Sequence, residues 1–327
     1  MKVRRPQTRR LPRTHSQVTR GEGPAGLARR VNFFQAYGPQ EKIKAVPSHV
    51  TAPKREWLSF CVANLEGMRK IPLPTTKRSS SLQSVIVESR ALPYLEFIIR
   101  NTILRLGPGW SHTIVATLEN AAFIKHMAAQ ISPEIEVITV PIASLSINGY
   151  NSLLTAPAFW KLLHGEKILV YQHDTFLFRD GIERYLKYDY IGAPWERRPN
   201  MTYYAQTRTN GVGNGGLSLR SRHRMLQVLG RVPWESWTDY SALTRIWMKW
   251  KGVNGPEDIF FSQLLPRCRK IVLPSLDIAR SFSVERVHHP NPLGGHQWWW
   301  AKYDWKSALR RNLLKDFQAH GIELKGL

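Results

Sequence analysis

An α/β architecture, a mostly parallel central sheet flanked by helices, is what three features of the sequence predict. Apolar runs of strand length alternate with segments of helical periodicity from Ser84 to Asp180. The run Ile168 to Tyr171 is unbroken and β-branched, as expected of a strand buried on both faces. It stops at Gln172, His173, Asp174 and Thr175, and polar groups just beyond a strand's carboxyl end mark the ligand crevice of an open α/β sheet.

In chain order, residues 1–80 carry scattered Pro, Gly, Ser, Thr and basic residues without sustained periodicity. They predict a basic, disordered leader with short helices around Gly26 to Tyr37. The main domain is expected over 81–303. Its first strand is Val85 to Val87, with Glu88 to Arg90 as a polar exit. Leu95, Ile98, Ile99, Ile103 and Leu106 then recur at helical spacing within 92–106. A strand over 112–117, a helix over 121–130 and a strand over 134–140 complete a βαβαβ run, which favours parallel pairing with right-handed crossovers. A polar link through Asn148, Tyr150 and Asn151 leads to a helix over 158–163 and on to the central strand. A short helix is expected over 182–188. The rhythm then breaks at YDYIGAPW, and residues 196–210 form a long polar loop of the kind that is usually functional. A terminal amphipathic helix over 304–320 closes a separate C-terminal element, 304–327, with Leu309, Leu313, Leu314 and Phe317 on one side.

The formal charge of +23 raises the prospect of nucleic-acid binding. Its distribution argues against it: residues 1–78 hold 17 Lys or Arg against 4 Glu, so +13 of the excess lies in the leader. A mildly basic body suits a substrate carrying a diphosphate. Two cysteines, Cys61 and Cys268, make neither a disulfide framework nor a zinc cluster. No run has the length of a membrane span and no secretory signal is seen. The arginine-rich start is either a disordered tail or an organelle-targeting leader.

Four stretches carry candidate chemistry. Asp174, with Gln172 and His173, is either a ligand-facing group or a turn residue after its strand. Gly211, Gly213 and Gly216 match the spacing GxGxxG, but a polar loop precedes them and the strand-like LSL follows, so a Rossmann site is rejected. Asn214, Gly215 and Gly216 instead offer bare backbone to a ligand, or form a glycine-rich bulge, while Arg220 could face a diphosphate. Glu257 and Asp258 open an apolar helix, where they act as caps or present a carboxylate to a substrate hydroxyl. Finally, HHPNPLGGHQWWW over 288–300 supplies His289 and His296 as candidate metal ligands.

Taken jointly, QHDT, YDYIGAPW, GNGGLSLR, GPEDIFFS and GGH before Trp resemble glycosyltransferases of the GT-A type. Within these they are most similar to a largely fungal family known as domain of unknown function 5672. The resemblance spans about residues 82–300. It implies a nucleotide-sugar-binding fold and transfer of a hexose from a UDP- or GDP-sugar to a hydroxyl on a glycan, protein or small molecule. Of the Asp-x-Asp that holds Mn²⁺ or Mg²⁺ in such enzymes, only Asp174 remains here, with His296 as the late histidine completing the site. Asp258, paired with Glu257, is implied as the base of an inverting reaction. Glu88, Arg90, Gln172, His173, Trp195, Asn214, Gly215, Gly216 and Arg220 are expected to contact donor or acceptor. The resemblance implies a secretory-pathway location by analogy of fold. The rival expectations are an idle sugar-nucleotide or glycan-binding domain, a basic nucleic-acid-binding protein, and a retaining transferase or glycoside hydrolase.

Overall fold

Parallel pairing follows from the crossovers. In the computed structural model, which describes residues 48–196, 211–231 and 255–327, β1 (Leu82–Val87) pairs in parallel with β2 (Trp110–Ala116) and with β4 (Lys167–Tyr171). Helix α3 (Leu95–Leu106) crosses from β1 to β2, and α4 (Ala121–Ile131) from β2 to β3 (Glu136–Thr139). Beyond β4 the direction reverses. β7 (Leu217–Ser221) is antiparallel to β4 and to β6 (Tyr190–Gly192), giving a six-stranded order β3-β2-β1-β4-β7-β6. The short helices expected near Gly26 to Tyr37, and residues 197–210 of the polar loop, lie outside the described residues.

Alternation along each strand feeds two cores. Val85, Val87, Ile168 and Val170 point to one face, packed by α5 (Ile147–Leu154), α6 (Pro157–Leu162), α7 (Arg222–Leu229) and α8 (Glu257–Leu264). Ile86, Leu169 and Tyr171 point to the other, covered by α3 and α4 among others. Helix α9 (Leu276–Phe282) leads into a small second sheet of β5 (Thr175–Leu177), β9 (Gly294–His296) and β8 (Ser283–Val284). That sheet, and helix α5 on the stretch read as a polar link, were not expected from the sequence. Ser146 caps α5, its hydroxyl accepting from the Gly149 amide at 3.0 Å.

The structure corrects the leader boundary. Helices α1 (Ser48–Ala63) and α2 (Leu65–Lys70) belong to the body: Trp57, Phe60, Cys61 and Met68 are buried in the same core as α3. The partners of Trp57 include Trp298 and Trp305, ring centroids 4.8 and 5.1 Å away. Those partners lie more than two hundred residues downstream, so local periodicity could not announce them. The Asn64 side chain also accepts from the Lys325 amide at 2.8 Å and donates to its carbonyl at 3.0 Å. The expected terminal helix is two, α10 (Trp305–Arg311) and α11 (Leu313–Ala319), because Asn312 leaves helical geometry at φ −127° and donates to the Phe178 carbonyl at 2.8 Å. Both helices join the first core through Leu309, Leu313 and Phe317. Among the described residues no helix is long and apolar enough to cross a membrane.

Candidate active site

A cleft of about 540 Å³ opens at the carboxyl ends of β1 and β4, within the usual size of a small-molecule site. The antiparallel turn of β7 makes it possible. Tyr171 stands opposite Leu217, so the residues leaving β4 meet those entering β7, and the Gln172 amide donates to the Gly216 carbonyl at 3.0 Å. Thr175 stands opposite His296, which brings β9 to the same edge. Helix α8 then points its start at this junction.

Eleven of the fourteen sequence-derived candidates line the cleft: Glu88, Arg90, Gln172, His173, Asp174, Asn214, Gly215, Gly216, Glu257, Asp258 and His296. Trp195 and Arg220 do not. Trp195 is packed into the core over α5 to α8, its amide bonded to the Gly211 carbonyl at 3.0 Å. Arg220 is fully buried, so the expectation that it faces a diphosphate is not met. Its guanidinium donates to both Glu257 oxygens at 2.6 and 2.9 Å and to the Ser218 hydroxyl at 2.8 Å, and it lies 5.1 Å from the Tyr190 ring centre. The Glu257 fork, together with the Trp160 and Phe261 rings at 5.9 and 5.8 Å besides Tyr190, compensates the burial of this charge. The same bonds engage both oxygens of Glu257. His289 is likewise away from the cleft, its ring accepting from the Asn291 amide at 3.2 Å.

Asp258 differs from its neighbour. Its Oδ2 accepts from the Gly215 amide at 3.0 Å and its Oδ1 from its own helix, the Ile259 amide, at 2.8 Å, and among the described residues no cation lies at ion-pair distance from it. Burial and the adjacent Glu257 charge outweigh those bonds and raise its pKa to about 7. It is a carboxyl poised to exchange a proton near neutrality.

Across the cleft, Asp174 is buried. Gln297 donates to its Oδ2 at 2.8 Å, and His296 Nε2 lies 3.3 Å from its Oδ1. Burial opposes its ionisation, yet the His296 charge, His173 and the Gln297 bond together hold its pKa well below the usual carboxylate range. Burial would likewise lower His296; Asp174, and Glu285 at 3.8 Å from Nδ1, outweigh it and push its pKa up to about 10. Although close enough for ion pairing, Asp174 Oδ1 and both His296 nitrogens lack hydrogen-bond geometry to any partner among the described residues. Such orphaned buried atoms are costly unless something else satisfies them.

The glycines admit this arrangement. A methyl on Gly216 would fall within the His296 ring, and one on Gly215 against Glu257 Oε1. Gly213, at φ +115°, holds its carbonyl to accept the Tyr190 hydroxyl at 2.6 Å. At the far wall Glu88 folds Arg90 back, accepting its Nε at 2.7 Å and Nη2 at 2.8 Å, while Tyr94 meets His173 Nδ1 at 2.7 Å. Burial lowers the pKa of His173, and the nearby cations Arg90 and Lys54 lower it further, against the pull of Asp174 and Glu88.

Sequence reasoning missed Lys54, Tyr150, Asn151 and Gln297, which also line the cleft. Gln297 adjoins the GGH motif and could have been suspected from that adjacency; Lys54 carried no signal, being placed in the supposed leader.

Residues 134–296 match the profile of a family described as "Protein of unknown function (DUF5672)", a span holding every candidate except Glu88 and Arg90. No curated protein matches significantly. Among solved structures, the chain is similar to mouse xyloside xylosyltransferase 1 in its apo form, with 13% identity, a TM-score of 0.40, and 73% of this chain and 93% of that one covered. It is also similar to the mannosyltransferase PcManGT of Pyrobaculum calidifontis in complex with GDP-Man and Mn²⁺, with 10% identity, a TM-score of 0.31 and coverage of 55% and 57%. A third is the apo glycosyltransferase GlyE of Streptococcus pneumoniae TIGR4, with 12% identity, a TM-score of 0.37 and coverage of 74% and 64%. The chain thus spans less than two thirds of the length of the second and third of these structures.

Proposed function

We propose that this cleft transfers a sugar from a nucleoside diphosphate to an acceptor hydroxyl with inversion, Asp258 acting as the base. The observation that carries the reading is the pairing of two unlike carboxyls in one cleft. Asp174 stays charged at every physiological pH, whereas Asp258 is held near pH 7. Environments that push two carboxyls apart divide electrostatic from proton-transfer duty.

Asp258 takes the proton of the acceptor hydroxyl as its oxygen bonds to the anomeric carbon. The bond from that carbon to the diphosphate oxygen breaks, and its electron pair leaves on the diphosphate. Gly215 and Ile259 hold the carboxyl in place through their amides. Glu257, with both oxygens on Arg220, fixes the start of α8 rather than acting as the base.

A divalent cation would fit between Asp174 Oδ1 and His296 Nε2 only by displacing the proton that His296 otherwise holds against Asp174, so its binding would release a proton. Among the described residues no cluster of three His, Cys, Asp or Glu side chains completes such a site, so diphosphate oxygens and water would supply the remaining ligands. Mn²⁺ or Mg²⁺ held there would offset the charge on the departing diphosphate.

That sparse ligand set also favours a second reading, a domain that binds a sugar nucleotide without turning it over. The test is incubation of the purified full chain with UDP- and GDP-sugars and sugar acceptors, with and without Mn²⁺. Transfer with inverted anomeric configuration, lost in Asp258→Asn and Asp174→Ala, supports the transferase. Binding without transfer or donor hydrolysis selects the second reading. Transfer that survives Asp258→Asn removes the base assignment.

A further inference from the structure

Every anionic wall group of the cleft except Asp258 already has a cation. Glu88 holds Arg90, Glu257 holds Arg220 and Asp174 faces His296. Lys54 is the exception on the positive side. It lines the same cleft as Asp174 and His296, its charge felt by His173, and no carboxylate among the described residues lies at ion-pair distance from it. Its ammonium instead stands 5.8 Å from the centre of the Trp299 ring. An aromatic face steadies a cation without neutralising it, which leaves the charge available to a ligand.

The position of Lys54 is fixed by the scaffold that fixes the metal candidates. Trp57 lies three residues further along α1, on the same helical face, and is fully buried. Its ring packs edge-on against Phe176 and Trp298, both 4.8 Å away between centroids. Phe176 follows Asp174 by two residues, and Trp298 follows His296 by two. One aromatic cluster therefore registers α1 against both loops.

We propose that Lys54 is a diphosphate-binding residue of this cleft, so that α1 completes the donor site. The inference rests on the transferase reading and adds to it a cation from outside the span that the family profile matches. An ammonium is a compact, mobile point charge, suited to following the diphosphate oxygens as negative charge builds on them during departure. Binding energy that grows as the bond breaks accelerates the step rather than only tightening the donor.

The test uses the full chain, with UDP, GDP and inorganic pyrophosphate as probes, uridine and guanosine as phosphate-free controls, and calorimetry in Mn²⁺. Lys54→Gln is expected to weaken the better nucleoside diphosphate and pyrophosphate roughly ten- to a hundredfold, the effect of losing one charge-assisted contact. Nucleoside binding and unfolding temperature stay unchanged, and Lys54→Arg recovers most of the loss. If the wild type binds a nucleoside diphosphate and Lys54→Gln binds it equally, the assignment of Lys54 is wrong and the transferase reading stands. If the wild type binds no phosphate-bearing probe, the transferase reading falls and this inference with it.

Discussion

Replacing Asp258 by Asn separates what the carboxyl does for the reaction from what it costs the fold. Moving its pKa from the ordinary 3.8 to about 7 means that the native state binds this proton more tightly than the unfolded chain does. Stability therefore falls as pH rises from 3.8 through about 7 and levels off above. By pH 8 the ionised carboxyl costs the native state about 4 kcal/mol, of which somewhat under half is already present at pH 5. Asn carries no such charge. It accepts from only one of the Gly215 and Ile259 amides, a loss of about 1 kcal/mol that does not vary with pH. The stability of Asp258→Asn relative to wild type should thus grow by about 2–3 kcal/mol between pH 5 and pH 8, read by urea denaturation of both proteins. At pH 8 the variant should be the more stable protein, and the proposed transfer should be slowed by about a hundredfold or more. A stability difference that is the same at both pH values would mean that Asp258 titrates as an ordinary surface acid. Asp258 would then not be poised to act as the base near neutral pH.

Other consequences are as direct. Asp174→Ala and His296→Ala should each abolish any Mn²⁺-dependent rise in unfolding temperature with a nucleoside diphosphate; a rise that persists in both would place the ion elsewhere. Gly216→Ala forces a methyl into the His296 ring and should cost about 3 kcal/mol, visible as a lowered unfolding temperature. Deleting residues 1–80 removes Trp57, Phe60 and Met68 from the core, so that fragment should fail to give a cooperative transition. Trp57→Ala alone should cost about 3–5 kcal/mol. A sharp transition in the fragment would refute the inclusion of α1 and α2 in the body.

The parts of the fold that sequence made legible are those whose information is local. The strand Ile168 to Tyr171 and the helix through Leu95 and Ile103 declare themselves by period, because each buries its own apolar residues against the sheet. The cleft was legible where polar groups sit at the ends of such elements, at Asp174, at Gly215 and at Asp258. What escaped was partnership across the chain. Arg220 reads in sequence as a basic residue beside a glycine loop, and only its fork onto Glu257 shows it to be internal. Trp57 reads as an aromatic in a basic stretch, and its partners Trp298 and Trp305 lie at the other end of the chain. Lys54 inherits its place from Trp57 and was hidden for the same reason.

Two adjacent acids at one helix start have opposite fates, and the difference gives the most demanding test of the site. Glu257 is neutralised by Arg220 in a dry setting, while among the described residues Asp258 next to it is hydrogen-bonded by the Gly215 and Ile259 amides. The Glu257 charge raises the pKa of Asp258 and Arg220 lowers it. Glu257→Gln removes the first influence and leaves the second unopposed, so both changes move the Asp258 pKa downward. The variant also strands a buried guanidinium, which should destabilise it by about 3–5 kcal/mol. A purely structural role for Glu257 predicts a less stable enzyme whose surviving activity rises through the same pH as wild type. Electrostatic control of the base predicts the same loss of stability with the acid limb of kcat/KM displaced to lower pH. Measured well below the variant's unfolding temperature, an acid limb left in place would show that Glu257 shapes the helix start and nothing more.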